Sequence, residues 1–528
     1  MAFARAANYL TESDPDLKGI SYRFALALLF ILAVSLYAKF FGGGHISMTL
    51  VIAAGVGGYM AMGIGANDVA NNVGPAVGSR ALTLGGALLI AAIFEAAGAI
   101  IAGGNVVTTI RSGIIDPTLI PDTHTFVWLM LAALLAAAIW LNLATAIGAP
   151  VSTTHSIVGA VLGAGIAAGG FAIADWGVVG KIVLSWLVSP ITGGLIAAFF
   201  LYLIKRLITY DSNMAQAAGR HVPVLIGLMA WAFTTFLLIK GVGRLVDISF
   251  GQALLYGLTL GVVIMILLKP VFRRRALYIE SDKPAVNRLF NIPLVFAAAL
   301  LCFAHGSNDV ANAIGPLAAI VDVLGNEPDA IAGQTTIPLW VMMIGALGLS
   351  LGLALFGTRV IKTVGDEITD LDQMRAYCIA MAATITVIIA SQLGLPISST
   401  HTAVGAVFGV GFLREYLKVS YDRKIEKIKE HHAGEDQHLL DGFLARFEAA
   451  SVREKGAILR EIKRKQKQDE SVALIRKKER KSLRKVYRQE LVKRSLVLRI
   501  ISAWVITVPA SALMAAIIYF VIRGMLLP

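Results

Sequence analysis

Gly65-Ala-Asn-Asp-Val-Ala-Asn-Asn-Val-Gly-Pro75 recurs almost unchanged as Gly306-Ser-Asn-Asp-Val-Ala-Asn-Ala-Ile-Gly-Pro316. A second stretch, Ala149-Pro-Val-Ser-Thr-Thr-His155, recurs as Leu395-Pro-Ile-Ser-Ser-Thr-His401. The two motifs keep their order, with offsets of 241 and 246 residues, and apolar segments separate them in each half. The chain is therefore expected to contain a duplicated structural unit.

The composition around these motifs is that of a membrane protein. Of 528 residues, 57% are hydrophobic and only 15% are charged, and the mean hydropathy is +0.73. Several nearly uncharged windows of about 20 residues are long enough to cross a bilayer as helices; they include Phe24–Phe41, Ala81–Gly103, Phe126–Ile147, Val178–Ile204 and Ile337–Gly357. The sequence thus predicts an all-α polytopic membrane protein, in which 51 glycines permit close helix packing.

Charge and cysteine usage exclude other classes of protein. The net charge is +13, but residues 414–494 alone hold 24 Lys and Arg against 14 Asp and Glu. A basic segment beside a membrane helix follows from the positive-inside rule, so we predict no nucleic-acid partner. Cys302 and Cys378 both lie in apolar runs and are interpreted as packing residues.

Loop charges indicate that the two halves have opposite orientations. Loop 321–336 has three acidic residues and no Lys or Arg, whereas its first-half counterpart contains Arg80. One loop later the pattern reverses, because loop 104–125 contains one basic residue, Arg111, and loop 358–375 contains three. Opposite positive-inside signals predict an inverted-topology repeat with broken or re-entrant helices, an architecture of many secondary transporters.

This pattern divides the chain into six expected regions. They are an N-terminal segment with a first transmembrane helix (1–45), transport repeat 1 (46–205), an inserted transmembrane hairpin with linkers (206–288), transport repeat 2 (289–413), a basic, helical cytoplasmic insert (414–497) and a C-terminal transmembrane helix (498–528). The insert is interpreted as a solvated helical segment, with a docking surface for a regulator or acidic lipid as the alternative.

The first motif places ionisable groups within apolar sequence. Asp68 and Asp309 are flanked by Gly and Pro residues that can break a membrane helix and expose backbone groups to a cavity. An ionisable residue at membrane depth is a candidate functional residue. A polar clamp between helices is the alternative, and the occurrence of the motif in both halves argues against it.

The second motif has the pattern of a helix start. Pro followed by Ser and Thr precedes an apolar segment in each half, so hydroxyl groups can cap a helix whose free N–H groups suit an oxyanion. For one copy alone an ordinary capped helix is the simpler interpretation. His155 and His401 are expected to be structural groups rather than metal ligands or proton carriers.

Neither motif contains Lys or Arg to neutralise an anion. A buried charge without a partner is costly, and Asp68 and Asp309 would repel the anion further. Bound cations or protons on the aspartates would supply the missing positive charge. The residues therefore predict that an anion binds and moves together with a cation.

The complete motif set resembles the inorganic phosphate transporter (PiT) family. The resemblance extends to Ile93-Phe-Glu95-Ala-Ala-Gly98 and Thr109-Ile-Arg-Ser-Gly-Ile-Ile-Asp116, and it covers about residues 46–205 and 289–413. It implies import of inorganic phosphate by symport with Na⁺ or H⁺ across the inner membrane, without catalysis or a further cofactor.

The resemblance also nominates residues for each role. Around phosphate it nominates Asn67, Ser152, Thr153, Thr154, Asn308, Ser398, Ser399 and Thr400. For cation coupling it nominates Asp68, Asn71, Asp309, Asn312 and Glu95, with Na⁺ at the first four. Two positions depart from the family pattern: Ala380 stands where relatives often have a glutamate, and Ser399 stands where Thr is more usual.

Alternatives and partners follow from the same residues. A permease for another tetrahedral oxyanion such as sulfate, and a membrane phosphate sensor signalling through 414–497, are the competing functions. The expected partners are phosphate and membrane lipid; a second copy of the chain, forming a homodimer, and a cytoplasmic regulator at 414–497 are further candidates.

Overall fold

The computed structural model describes residues 17–41, 48–146, 151–325 except 242, 244 and 245, 337–358, 361, 372–431, 446, 458 and 495–526. Most of the predicted insert 414–497 lies outside these residues. The first half of the described chain contains α1 (Leu17–Phe41), α2 (Met48–Asn67), α3 (Val69–Gly78), α4 (Leu84–Ala102), α5 (Gly104–Thr108), α6 (Thr123–Ala146), α7 (Thr153–Gly169) and α8 (Trp176–Ile204). The remaining helices are α9 (Met214–Lys240), α10 (Phe250–Leu277), α11 (Lys283–Leu289), α12 (Asn291–Asp309), α13 (Ala311–Gly325), α14 (Leu339–Gly352), α15 (Gln373–Gln392), α16 (Ser399–His431) and α17 (Ser495–Leu526).

The fold is almost entirely helical, as the composition predicts. Among the described residues, 11 helical segments are long and apolar enough to span a membrane, and β structure is limited to one isolated bridge between Ile115 and Ala174. The chain is an integral, multi-pass membrane protein.

Two spans are broken within the first motif, as predicted. In Met48–Gly78 the break between α2 and α3 falls at Asp68, and in Asn291–Leu324 the break between α12 and α13 falls at Val310. At the first break the Asn71 N–H donates to the Asp68 carbonyl oxygen at 3.0 Å, a tighter turn than the α-helical ladder. Asp68 and Val310 thus lie between helical segments, and the other residues of the motif belong to the segments on either side.

The inserted hairpin consists of two long helices within the region 206–288. Its helices α9 and α10 cover Met214–Lys240 and Phe250–Leu277. Helix α10 begins with a capping box in which the side chains of Ser249 and Gln252 each bond the other's backbone N–H. Most of the transmembrane part of α10 is exposed at the protein surface, as expected for a lipid-facing helix.

The signature helices of each half pack against helices of the other half. Gly65 of α2 lies against the carbonyl oxygen of Leu349 in α14, and Gly306 of α12 lies against that of Glu95 in α4. A β-carbon at either glycine would collide with main-chain atoms, so only glycine permits this approach. The two halves are therefore interlocked through equivalent contacts.

The final helix takes part in a second pair of such contacts. Gly163 of α7 lies against the Ala512 carbonyl group of α17, and Gly409 of α16 lies against the Gly194 carbonyl group of α8. Gly163 and Gly409 occupy equivalent positions, 246 residues apart. Helix α17 thus packs against the first half as α8 packs against the second.

Polar contacts at the helix ends indicate the direction of the two broken spans. Gln373 donates to the carbonyl oxygen of Ser79, just after α3, at 2.8 Å, and Asp372 pairs with Lys283 of α11 at 3.1 Å. Helix α12 follows α11 directly, and α13 then carries Asp322 to an ion pair with Arg111 at 2.9 Å. The span Met48–Gly78 therefore ends close to Asp372, and the span Asn291–Leu324 begins close to the same residue. This antiparallel arrangement is the one that an inverted repeat requires, and the orientation of each half in the bilayer stays a prediction.

The acidic group of this cluster is stabilised in its charged form. Burial raises the pKa of Asp372, but the neighbouring Arg375 and Lys283 together lower it by more than burial raises it. The pKa therefore lies below its ordinary value of 3.8. The Asp372 side chain also caps α15 by accepting from the Arg375 N–H at 3.0 Å. Charge and capping both hold the start of α15 in place.

Candidate functional site

The carboxylates of the two helix breaks contact the second motif of their own half. Thr153 Oγ1 donates to Asp68 Oδ2 at 2.7 Å, and Ser399 Oγ donates to Asp309 Oδ2 at 3.2 Å. Both aspartates are buried. Because Thr153 and Ser399 are equivalent positions, each half contains the same carboxylate–hydroxyl pair.

Asparagine side chains make the contacts between halves. Asn71 Nδ2 donates to Thr400 Oγ1 at 2.9 Å, and Asn312 Nδ2 donates to Thr154 Oγ1 at 3.1 Å. Thr154 and Thr400 are equivalent, so these bonds form a second symmetric pair. Thr400 also approaches Asp68, with 3.4 Å between Oγ1 and Oδ1. Eight nominated residues from both repeats therefore take part in hydrogen bonds around Asp68 and Asp309, and we call this set the network.

The serines of the second motif cap the helices that follow them. Ser152 Oγ accepts from the His155 N–H of α7 at 3.2 Å, and Ser398 Oγ accepts from the His401 N–H of α16 at the same distance. Both serines are buried. The first N–H groups of a helix have no partner within it and carry partial positive charge, so the two capped ends are suited to an anion.

The two remaining phosphate nominees have different surroundings. Asn308 Nδ2 donates to the Leu395 carbonyl oxygen and to Ser391 Oγ, both at 3.1 Å, and its Oδ1 accepts from the Ile397 N–H at 3.2 Å. Asn308 thus fixes the backbone that leads into the second motif. Asn67 donates to the Gly63 carbonyl oxygen in its own helix at 2.8 Å.

Glu95 is joined to the network by a histidine. His305 Nδ1 lies 2.7 Å from Glu95 Oε2, and His305 Nε2 lies 2.9 Å from Asp309 Oδ2. Asn72 Nδ2 donates to the other oxygen of Glu95 at 2.9 Å. The side chains of Glu95 and His305 are 0% exposed, so this link is shielded from solvent.

This link exists in only one of the two equivalent places. Gly306 packs on the backbone of Glu95, and its equivalent Gly65 packs on the backbone of Leu349. The residue before Gly306 is His305, whereas the residue before Gly65 is Ile64. The Glu95–His305 pair therefore corresponds to two apolar residues, Leu349 and Ile64, at the equivalent positions.

Sequence reasoning missed His305, Asn72 and Ser391 as members of the site. A signal for His305 was available, since it precedes the repeated motif directly and lies four residues before Asp309, on the same helix face. Its absence from the first half hid it from a search for repeated residues. Ser391 lies outside both motifs, and only the folded structure brings it to Asn308.

The network contains a group of atoms that can hold a cation. Asp68, His305 and Asp309 each contribute a ligand atom, and these atoms lie within 4.8 Å of one another. Among the described residues, Glu95 and Asp309 pair with His305, Asp68 forms no ion pair, and none of the three carboxylates pairs with a Lys or Arg. Three carboxyl groups around one imidazole favour positive ions at this site.

Comparison with known proteins gives a consistent family assignment. The model of the family described as "PHO4: Phosphate transporter family" matches residues 64–515. A Helicobacter pylori J99 protein, named "Putative phosphate permease", is 51% identical over 516 residues, which are 96% of each chain. A Pyrococcus abyssi protein with the same description is 41% identical over 67% of this chain and 86% of its own.

A solved structure titled "The sodium-dependent phosphate transporter" has the same overall fold. It aligns with a TM-score of 0.72 and 30% sequence identity, covering 91% of this chain and 100% of its own. The matched region includes both copies of both motifs, so the repeated network described above lies within the shared sequence. On this evidence the chain belongs to the phosphate transporter family.

Proposed function

We propose that this protein imports inorganic phosphate in symport with Na⁺. The observation that carries the proposal is the symmetric network in which two helix N-termini meet two carboxylates that, within the described part of the chain, pair with no Lys or Arg. An arrangement of this kind supplies neutral donors for the anion and acidic oxygens for cations. The names of the relatives support phosphate as the substrate, and the name of the solved structure supports Na⁺ as the coupled ion.

The capped starts of α7 and α16 are the proposed phosphate site. Main-chain N–H groups and hydroxyls there donate to the phosphate oxygens, and the partial positive charge of both helix ends favours the anion. The donors come from residues 152–154 and 398–400, with Asn67 and Asn308 on the preceding broken spans. Asn308 also acts on the site by fixing the backbone at Ile397.

The carboxylates of the two breaks are the proposed cation sites. Carboxylate, amide and hydroxyl oxygens are hard ligands of the kind that alkali and alkaline-earth cations prefer. Asp68 and Asp309 provide the charge, and Asn71 and Asn312 provide amide oxygens. When no cation is bound, the same carboxylates repel phosphate, so each ion binds best in the presence of the other.

Glu95 and His305 make one cation site different from the other. His305 is hydrogen-bonded to Glu95 through Nδ1, and its Nε2 lies 2.9 Å from Asp309 Oδ2, so a titratable imidazole lies between the two carboxyl groups. We infer that this imidazole adjusts the charge of Asp309 during transport, whereas among the described residues Asp68 has no imidazole at ion-pair distance.

Proteoliposomes test the coupling directly. Labelled phosphate uptake is measured under a Na⁺ gradient at equal pH, and under a pH gradient without Na⁺. The proposal expects concentrative uptake in the first condition. Uptake driven only by the pH gradient would replace Na⁺ with H⁺, and uptake indifferent to both gradients would contradict symport.

Competition by sulfate tests the choice of anion. An excess of phosphate should displace labelled phosphate, while sulfate at an equal concentration should leave most of the uptake intact. Complete displacement by equal sulfate would favour a general oxyanion permease.

A further inference from the structure

Four aromatic rings beside the capped starts of α7 and α16 contact one another in a row. The His155 and His401 ring centroids lie 4.5 Å apart. The Trp186 ring contacts His155, with centroids 3.8 Å apart and ring planes tilted by 35°, and Trp504 stacks on His401 with centroids 3.4 Å apart. We call the row Trp186–His155–His401–Trp504 the aromatic bridge.

The aromatic bridge begins in the two signature motifs. His155 and His401 follow the nominated residues 152–154 and 398–400 directly, in the first turns of α7 and α16. The backbone N–H groups of both histidines bond the capping serines. A displacement of either ring is therefore transmitted to the helix start that is proposed to bind phosphate.

The tryptophans come from equivalent positions of α8 and α17. Trp186 lies four residues before Pro190, whose carbonyl oxygen contacts Gly405 of α16. Trp504 lies four residues before Val508, whose carbonyl oxygen contacts Gly159 of α7. Each tryptophan thus stacks on the histidine of one motif, while its own helix packs against the helix of the other motif.

This crossed arrangement links four helices at one point. The Trp186 ring contacts His155 of α7, while its own helix α8 packs on α16. The Trp504 ring contacts His401 of α16, while its own helix α17 packs on α7. Trp186 Nε1 also donates to the Pro396 carbonyl oxygen, at the entrance to the second motif, at 2.9 Å. The two helix starts consequently cannot separate without breaking stacking or close packing on both sides.

The histidines contribute their rings rather than their nitrogen atoms to these contacts. His155 and His401 are buried. His155 Nδ1 and both ring nitrogens of His401 have no hydrogen-bond partner among the residues described. No acidic group of the described residues forms an ion pair with either ring, so protonation would bury an unpaired charge.

We propose that the aromatic bridge fixes the separation of the two phosphate-binding helix starts, with Trp186, Trp504, His155 and His401 as positioning residues. The inference rests on the proposed function of those helix starts. It also gives α17 a role in the site, because Trp504 belongs to this C-terminal helix and contacts His401.

Leucine substitution of each tryptophan tests the bridge. Trp186→Leu and Trp504→Leu are expected to raise KM for phosphate about fivefold each, which is the scale of one lost aromatic pair. The maximal rate per inserted molecule is expected to change less, since the carboxylates remain in place. Trp176→Leu is the matched control, because Trp176 lies on the same helix as Trp186 and stacks on Phe171 at the periphery. An unchanged KM in both bridge variants, at normal membrane levels, would overturn the proposal.

Histidine substitutions distinguish ring packing from chemistry of the ring nitrogens. His155→Phe and His401→Phe keep a flat ring and are expected to retain a KM close to that of the unaltered protein, whereas the alanine variants raise it. If phenylalanine impairs binding as much as alanine does, the nitrogens have a direct role and the proposal is wrong.

A readout that does not involve phosphate separates this inference from the proposed function. The melting temperatures of purified His155→Ala, His401→Ala and the double variant are compared in detergent without phosphate. Coupled rings predict that the double variant loses less than the sum of the single losses. Strictly additive losses would remove the bridge even if phosphate uptake is confirmed. Coupled losses would retain it as a structural contact even if the unaltered protein fails to transport phosphate.

Discussion

Asp309 is linked to a second carboxyl group through an imidazole ring. It accepts a hydrogen bond from Ser399 and contacts His305, which in turn contacts Glu95. Asp68 is surrounded by hydroxyl groups instead. The two aspartates therefore occupy equivalent places in the sequence and different places electrostatically.

Asparagine substitution tests the charge of both carboxylates. Asp68→Asn and Asp309→Asn keep the size of the side chain but remove the charge that a cation requires, so concentrative phosphate uptake should be lost. Uptake into vesicles under a Na⁺ gradient, normalised to inserted protein, is the measurement. Near-normal uptake by either variant would exclude that aspartate from coupling.

The hydroxyl of Thr153 can be tested with a closely matched pair of variants. Thr153→Ala removes the bond to Asp68 and should weaken the apparent affinity for Na⁺ by about 1 kcal/mol, or about fivefold. Thr153→Ser retains the hydroxyl and should stay within about twofold of the unaltered protein. The Na⁺ dependence of uptake gives both values, and equal behaviour of the two variants would show that the hydroxyl is not used.

At the level of the helix, close packing between the halves depends on glycine. A β-carbon at Gly98 of α4 would collide with the carbonyl oxygen of Phe303 in α12, whereas one at Gly85 meets no atom within 4 Å. Such a contact cannot be relieved by a side-chain rotation, because the obstructing atom belongs to the backbone.

Gly98→Ala should therefore destabilise the protein by about 1–3 kcal/mol, the usual cost of overpacking. Gly85→Ala is the control and should be neutral or slightly stabilising, because alanine favours helix. Melting temperatures of the purified variants measure the difference. A Gly98→Ala variant as stable as the control would contradict the close approach of α4 and α12.

The start of α15 gives a pH-dependent prediction. Because the pKa of Asp372 is lower in the folded state than its ordinary 3.8, its ionisation stabilises the fold above that pH, and the stabilisation is lost as pH falls through the folded-state pKa. Asp372→Asn keeps a capping side chain but loses the charge, so it should be less stable at pH 6 by about 1 kcal/mol or less.

The stability difference between Asp372→Asn and the unaltered protein should shrink when melting temperatures are measured below about pH 4. Glu280→Gln, at an exposed position with no described ion pair, provides the control. A difference that is constant from pH 6 to pH 3 would show that the Asp372 charge does not contribute.

On the scale of the whole molecule, orientation is the largest remaining prediction. The antiparallel course of the two broken spans fits an inverted repeat, and loop charges place Arg80 and residues 269–288 on the cytoplasmic side. Leu119 and Tyr278 are exposed residues at the two predicted faces. Both native cysteines are fully buried, so a cysteine introduced at either site should dominate labelling.

Impermeant maleimide applied to intact cells should label Leu119→Cys and not Tyr278→Cys. Opening the cells should expose Tyr278→Cys to the reagent. Each variant serves as the control for the other, and labelling of both from the outside would reject the predicted orientation.

Much of this architecture could be predicted from the sequence. Long apolar windows predicted the helical spans, and Gly and Pro around Asp68 and Asp309 predicted the helix breaks. The repeated Ser-Thr pairs predicted two capped helices. All these signals are local, since each depends on residues within about 20 positions of one another.

The rest depended on contacts between distant parts of the chain. No local pattern indicates that Asn71 meets Thr400 or that Trp504 stacks on His401. The Glu95–His305 pair was equally hidden, because its members lie 210 residues apart in different halves. Repetition identified what the halves share and gave no signal for the places where they differ.

The unequal link between Glu95 and His305 has an evolutionary consequence. A protein assembled from two first halves would have two such glutamates, each facing isoleucine, and one assembled from two second halves would have two imidazoles facing leucine. Neither hybrid could rebuild the native acid–imidazole contact. The duplicated halves have thus become mutually dependent, because the imidazole that contacts Glu95 is encoded in the opposite half of the gene.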